Sequence, residues 1–205
     1  MAVVIVDYGM GNLRSVQKAL VRVGVASEIS SDPRVAAAAT GLVLPGVGAF
    51  KDAMQRLKAS HLDEVVRQHL AADRPFLGIC LGMQLLFASS TEDGSHPGLG
   101  VLAGRVIRFP SVPGCKVPHM GWNTIRPGQP PGPWHDLVEP TWMYFVHGYY
   151  CEPEPNPSLS LLLCDYAGVS FCAGLARSRM LAVQFHPEKS QGAGQYILHK
   201  FATLC

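Results

Sequence analysis

In the first half of the chain, short apolar runs alternate with longer stretches whose apolar positions recur every three to four residues. Ala2 to Val6 reads as a buried strand, and Leu13, Val16, Leu20 and Val23 then fall at helical spacing. A second strand is expected near Ala26–Ile29 and a short alanine-rich helix over Val35–Thr40. Gly41–Leu44 is the next strand; after it helical spacing runs through Ala53, Met54 and Leu57 and on to Leu62, Val65 and Val66, as one helix or two. Phe76–Ile79 is the fourth apolar run, followed by Leu81, Leu85 and Leu86 at helical spacing. Strands that are apolar throughout, each followed by a helix, predict a parallel sheet covered on both faces. Ligands of such sheets bind beyond the carboxyl ends of the strands, which places loops 7–12, 45–50 and 78–82 on one edge.

From Thr91 the pattern changes. Glycines and prolines interrupt the chain, Arg105–Phe109 reads as a strand, and Arg126–Trp134 reads as a surface loop rich in both. Trp142–Tyr150 is strongly β-prone, Leu159–Cys164 and Ser170–Ala176 form a hairpin about Ala167-Gly168, and Met180–Phe185 is a last strand. A helix holding Tyr196, Ile197, Phe201 and Leu204 closes the chain. One mixed sheet with an antiparallel flank is the simplest architecture, as a single domain over 1–205.

Composition narrows the function. With 205 residues, 48% apolar and 16% charged, the chain can bury a sizeable core. A net charge of +2 without a basic stripe argues against nucleic acid and against a membrane surface. No run approaches the ~18 apolar residues of a spanning helix. The six cysteines show no C-x-x-C pairing and no zinc spacing, so no metal is expected. The start lacks a basic leader, and a cytoplasmic protein with reduced thiols is the economical reading.

Candidate chemistry gathers where the fourth apolar run ends. Gly78-x-Cys80-x-Gly82 at a strand-to-helix joint has the pattern of a nucleophile elbow. The helix start offers N–H groups and a positive dipole end, which favour a thiolate. A cysteine needs a base, because a free thiol titrates near ~8.5. Among eight histidines, His186 sits at the end of an apolar strand, with Glu188 two residues on and Pro187 between. In an extended segment the carboxylate lies on the imidazole's side and can orient it. His119 and His147 compete for the same role but lack a carboxylate at that spacing. The glycine-rich loop Pro45–Phe50 suits half an oxyanion hole, a phosphate cradle or a plain turn, and it lacks the P-loop ending. Gly9-x-Gly11 begins a dinucleotide fingerprint whose third glycine position is Arg14, so no nicotinamide cofactor is expected.

Pro-Phe-Leu-Gly-Ile-Cys-Leu-Gly-Met-Gln (75–84) with Gln-Phe-His-Pro-Glu-Lys-Ser (184–190) resembles the class I, triad, glutamine amidotransferases. Asp7–Asn12, Leu44–Phe50, Pro118–Asn123 and Tyr144–Tyr149 resemble, more narrowly, the glutaminase subunits of imidazole glycerol phosphate synthase. The resemblance implies an α/β, flavodoxin-like fold with a central, mostly parallel mixed sheet, helices on both faces and no cofactor. It implies that Cys80 attacks the glutamine side-chain amide, with His186 as base and Glu188 as its orienter. It puts the oxyanion hole at Leu81 and at Val47 or Gly48, and the grip on the substrate at Gly46, Gln84, His147, Gly148 and Tyr149. Ammonia would pass to a separate cyclase, a (β/α)8 barrel, in a heterodimer serving histidine biosynthesis, with Asn12, Trp122 and Lys189 at the interface. Gly148 departs from the family, which more often has a small hydroxyl residue there. Alternatives are the glutaminase of another class I amidotransferase, a different cysteine hydrolase, and a catalytically silent regulatory subunit.

Overall fold

A computed structural model describes residues 3–128, 130–137 and 140–205. The amino-terminal half alternates β1 (Val3–Val6), α1 (Leu13–Arg22), β2 (Ser27–Ser30), α2 (Pro33–Ala38) and β3 (Gly41–Gly46). It continues with α3 (Phe50–Ala59), α4 (Leu62–Ala71) and β4 (Phe76–Cys80). The long helical stretch is thus two helices, broken where His61 takes a left-handed backbone (φ 58°).

After β4 the helix α5 (Leu81–Gln84) is a single turn, and the chain returns at once as β5 (Phe87–Ser90). Helical spacing at Leu85 and Leu86 is therefore not continued helix. Both side chains are fully buried under the sheet, and the backbone turns there to pair β5 with the next long strand. The second half then runs β6 (His96–Pro97), β7 (Leu102–Arg108), β8 (His119–Pro127), β9 (Thr141–His147) and β10 (Tyr149–Pro153). It ends with β11 (Ser160–Tyr166), β12 (Val169–Arg177), β13 (Met180–Val183) and α6 (Gln191–Ala202).

Five strands pair in parallel in the order β2-β1-β3-β4-β13, and β12, β10 and β7 extend the sheet antiparallel. A separate ribbon, β8 with β9, joins through β11. Alternate residues of β1 feed two cores. Val3 and Ile5 pack with α1 and α6, through Leu20, Ile197 and Phe201, while Val4 and Val6 pack with Phe50, Leu57 and Val66 of α3 and α4. That double burial is why β1 (Val-Val-Ile-Val), β3, β4 and β13 are apolar at every position.

Two expectations change in the flank. The β-prone run breaks at Gly148, so β9 belongs to the ribbon and β10 to the main sheet. In the stretch read as a surface loop, β8 extends through Pro127 and Trp134 is fully buried, its indole N–H donating to the Ser160 carbonyl at 3.2 Å; Gln129 lies outside the described residues. A tryptophan with a partner for its N–H packs under a proline-rich loop as readily as in a strand.

Candidate active site

The parallel strands β3, β4 and β13 end side by side, with Gly46 registered against Cys80 and Val183 against Ile79. Cys80 turns from strand to helix at φ 54° and ψ −112°, a conformation rare for a residue with a side chain. The turn is enforced by packing. A Cβ on Gly82 would stand 1.8 Å from the Leu44 carbonyl oxygen, so only glycine lets the helix start this close to β3.

Cys80, 6% exposed, opens on a cleft of about 210 Å³. Val47, Gly48, Leu81, Gln84, Glu92 and His186 share its walls, and Val146–Tyr149 forms the opposite side. Val47, at 45% exposure, carries the β3 loop to the cleft mouth. Leu81 N–H is in the first turn of α5, where no intrahelical acceptor exists.

His186 follows β13 by three residues, and its Nδ1 donates to Glu188 Oε1 at 2.9 Å, both side chains nearly sealed from solvent. The segment is not extended, as the i to i+2 spacing had suggested. Residues Pro187–Lys189 form one 3-10 turn, which folds the carboxylate back under the ring. With Nδ1 committed, Nε2 is the ring nitrogen Glu188 does not use, on a ring that lines the cleft with Cys80. Burial alone would lower the His186 pKa, but the hydrogen bonds and charges of Cys80 and Glu188 outweigh it and raise the value to about 10.

Gln184 opens the 184–190 motif without an expected role, and it is fully buried beside Cys80. Its Nε2 lies 3.6 Å from Cys80 Sγ, and its Oε1 accepts from Gln84 Nε2 at 2.9 Å. Gln84 Nε2 also donates to the Tyr149 carbonyl at 3.0 Å, so both its N–H bonds are used and a ligand meets only an acceptor there. Glu92 is likewise unmarked in the sequence, since nothing distinguishes a lone glutamate after Thr91. Its Oε2 accepts from the Phe50 N–H at 2.7 Å, capping α3.

Gly46 stands behind the wall, where a Cβ would lie 2.4 Å from the Tyr8 hydroxyl and 3.0 Å from Leu81 Cβ. Gly148 lines the cleft with room for a side chain, its nearest neighbour being Val117 Cγ1 at 3.7 Å. His119 and His147 bond to each other, Nδ1 to Nε2 at 3.0 Å, inside an aromatic pocket. Burial drives their pKa values down, to about 4 and about 3, so neither is the basic histidine. At the rim, Lys189 Nζ lies 5.7 Å from the Tyr144 ring centroid and Trp122 meets the same ring edge-on at 5.9 Å. Asn12 precedes α1 on the β1 loop. Among the described residues, no group of His, Cys, Asp or Glu side chains is arranged to hold a metal ion.

A histidine hydrogen-bonded to a carboxylate, on one cleft with a cysteine that has helix-start N–H groups beside it, is equipped for acyl transfer. The model of the family described as "Glutamine amidotransferase class-I" matches residues 4–204. A protein of Rhodopirellula baltica named imidazole glycerol phosphate synthase subunit HisH is 49% identical over 201 residues, covering 98% of this chain and 97% of its own. One of the same name from Symbiobacterium thermophilum is 52% identical, covering 98% and 93%. Among solved structures, a glutamine amidotransferase superposes with TM-score 0.75 at 17% identity, over 98% of this chain and all of its own. A putative GMP synthase protein from Thermoplasma acidophilum gives 0.72 at 21%, over 100% and 94%. These two share the fold; the family model and the half-identical relatives go further, and the chain belongs to the class I glutamine amidotransferases.

Proposed function

We propose that the chain is the glutaminase subunit of an imidazole glycerol phosphate synthase, acting in histidine biosynthesis as one amidotransferase domain. The observation that carries this is the series Cys80–His186–Glu188 opening on a glutamine-sized cleft, in a chain half identical to subunits of that name.

In this reading Cys80 Sγ attacks the side-chain amide carbon of glutamine while His186 holds the proton. The oxyanion of the tetrahedral intermediate is met by the Leu81 N–H and by one from Val47 or Gly48. His186 then donates its proton to the leaving nitrogen, releasing ammonia and a thioester. Water, deprotonated by His186, attacks the thioester to give glutamate and the free thiol. Glu188 holds the imidazole with Nε2 toward Cys80 throughout. Gln84 Oε1 and the Glu92 carboxylate are acceptors suited to the substrate's ammonium group, and the backbone of His147, Gly148 and Tyr149 flanks it.

Ammonia needs a consumer. The partner is a cyclase on a separate (β/α)8 barrel in a heterodimer, docked over Asn12, Trp122 and Lys189. Asn12 lies on the β1 loop, and the outward face of β8–β9 exposes Met120 and Trp122 beside the cleft. No described helix is long and apolar enough to cross a membrane; the cytoplasm is the location proposed with these reduced thiols.

Glutamine hydrolysis, followed as glutamate released by the chain alone and with a cyclase partner holding its nucleotide ligand, tests the assignment. Slow turnover alone and strong acceleration in the complex are expected. Absence of acceleration overturns the partner, and absence of any turnover overturns the glutaminase.

A further inference from the structure

Of the buried histidines outside the triad, His119 and His147 are bonded to each other, and their hydrogen bonds have a direction that can be read from both ends. At one end, the Tyr149 carbonyl can only accept, so the His147 Nδ1 that lies 2.8 Å from it carries the proton. A neutral His147 then presents a bare Nε2, and His119 Nδ1, 3.0 Å away, must be the donor. At the other end, the Thr124 N–H can only donate, which fixes Asn123 Oδ1 at 2.8 Å as its acceptor. The Asn123 amide NH2 therefore faces His119 Nε2 at 3.3 Å and the Asp165 carbonyl at 3.1 Å. A donor at Nε2 again leaves the His119 proton on Nδ1. From either end, the His119 proton sits on Nδ1.

We propose that Asn123, His119 and His147 form a one-way hydrogen-bond relay that positions the Tyr149 carbonyl and, through Gln84 and Gln184, the Cys80 thiol for glutamine hydrolysis. The proposal rests on the glutaminase reading of the site. The Tyr149 carbonyl accepts from His147 and Gln84 together, Gln84 donates onward to Gln184, and Gln184 Nε2 reaches Cys80 Sγ. The relay thus ties the β8–β9 ribbon to the nucleophile and fixes the Val146–Tyr149 wall of the cleft. Its geometry is held by packing. The His119 ring is sandwiched between Phe145 and Tyr166, with centroids at 4.8 and 3.9 Å. Burial keeps both rings neutral, as one-way donation requires. His119 and His147 are positioning residues: His119 lies behind the cleft wall and acts only through His147.

Two variants separate the relay from mere packing. Asparagine places an amide N–H near the position of a histidine Nδ1 and leucine places none, whereas in an aromatic sandwich leucine is the better filler. His119→Leu should lower kcat/KM for glutamine about tenfold, because it leaves His147 Nε2 a buried acceptor without a donor. His119→Asn should retain kcat/KM within about twofold, even if its Tm is the lower of the two. Equal loss in both variants, or no loss in His119→Leu, overturns the proposal. Histidine 15N chemical shifts of the wild-type chain provide a measurement that needs no variant to fold. Both rings must show the neutral Nδ1–H form, and an Nε2–H form at either ring overturns the relay. A wild-type chain without glutaminase activity would defeat the functional reading instead, while the nitrogen shifts would still decide the direction of the relay.

Discussion

The end of β13 and the β8–β9 ribbon both hold buried histidines at or behind the walls of the same cleft, and they treat them in opposite ways. His186 has a carboxylate 2.9 Å from Nδ1 and Cys80 close enough to act on its charge, and its pKa rises to about 10. His119 and His147 are as well hidden, but their partners are an amide, a carbonyl and each other, and their pKa values fall to about 4 and 3. Burial penalises the imidazolium in both places, and only the neighbouring charges differ. Depth in the protein therefore does not make a base; a buried anion does. The parallel strands β3, β4 and β13, apolar at every position, bring Cys80 and His186 together, while the inner face of the ribbon carries the polar relay beside Ile125, Met143 and Phe145.

The largest expected effect comes from removing the charged end. Cys80→Ala should lower glutamine turnover by on the order of 10⁴-fold or more, and His186→Ala by roughly 10²–10⁴-fold, measured as glutamate released. Substantial turnover in Cys80→Ala would place the chemistry elsewhere. The next effect is steric. Gly82→Ala must move α5 away from the Leu44 carbonyl, costing about 1–3 kcal/mol in chemical denaturation and most of the glutaminase activity.

The opposite histidines should also give opposite pH signatures in stability. His186 contributes stability that is complete below its ordinary pKa of 6.5 and is lost as pH rises through about 10. His119 and His147 contribute stability that is complete above 6.5 and is lost as pH falls toward about 4 and about 3. Each histidine acts with a slope of about 1.4 kcal/mol per pH unit between its two pKa values. Urea unfolding across this range should find the acid limb flattened in His119→Leu and the alkaline limb flattened in His186→Asn. An unchanged acid limb in His119→Leu would remove the contrast.

The smallest effect on the chain itself belongs to the outer face of the ribbon. Trp122→Ala, at a residue 44% exposed, should change stability by no more than about 0.5 kcal/mol. Affinity for the cyclase should fall about tenfold in a titration of the complex.

Much of the charged site was legible because its residues are close in sequence or in motif. Cys80 is marked by Gly78 and Gly82, and His186 by Glu188 two residues away. Even there the reason differed: a 3-10 turn, not an extended segment, brings the carboxylate to the ring. Glu92 and Gln184 carried no local mark, since a glutamate capping a helix 42 positions away has no signature in its own neighbourhood. The one-turn length of α5 was hidden for a related reason. Leu85 and Leu86 are apolar because they are buried, and burial looks the same in a helix and at the start of a strand.

By itself the sequence determined the alternation of apolar strands and helices, the elbow at Cys80 and the pairing of His186 with Glu188. These are set by local geometry and short spacing. Only the tertiary structure decided that Gly46 is packing behind the wall, that Gln184 underlies the thiol, and that His119 and His147 are neutral and directional. Those roles depend on which atoms meet across 28 to 104 residues of chain. A histidine's charge is the sum of what surrounds it, and its surroundings exist only once the chain has folded.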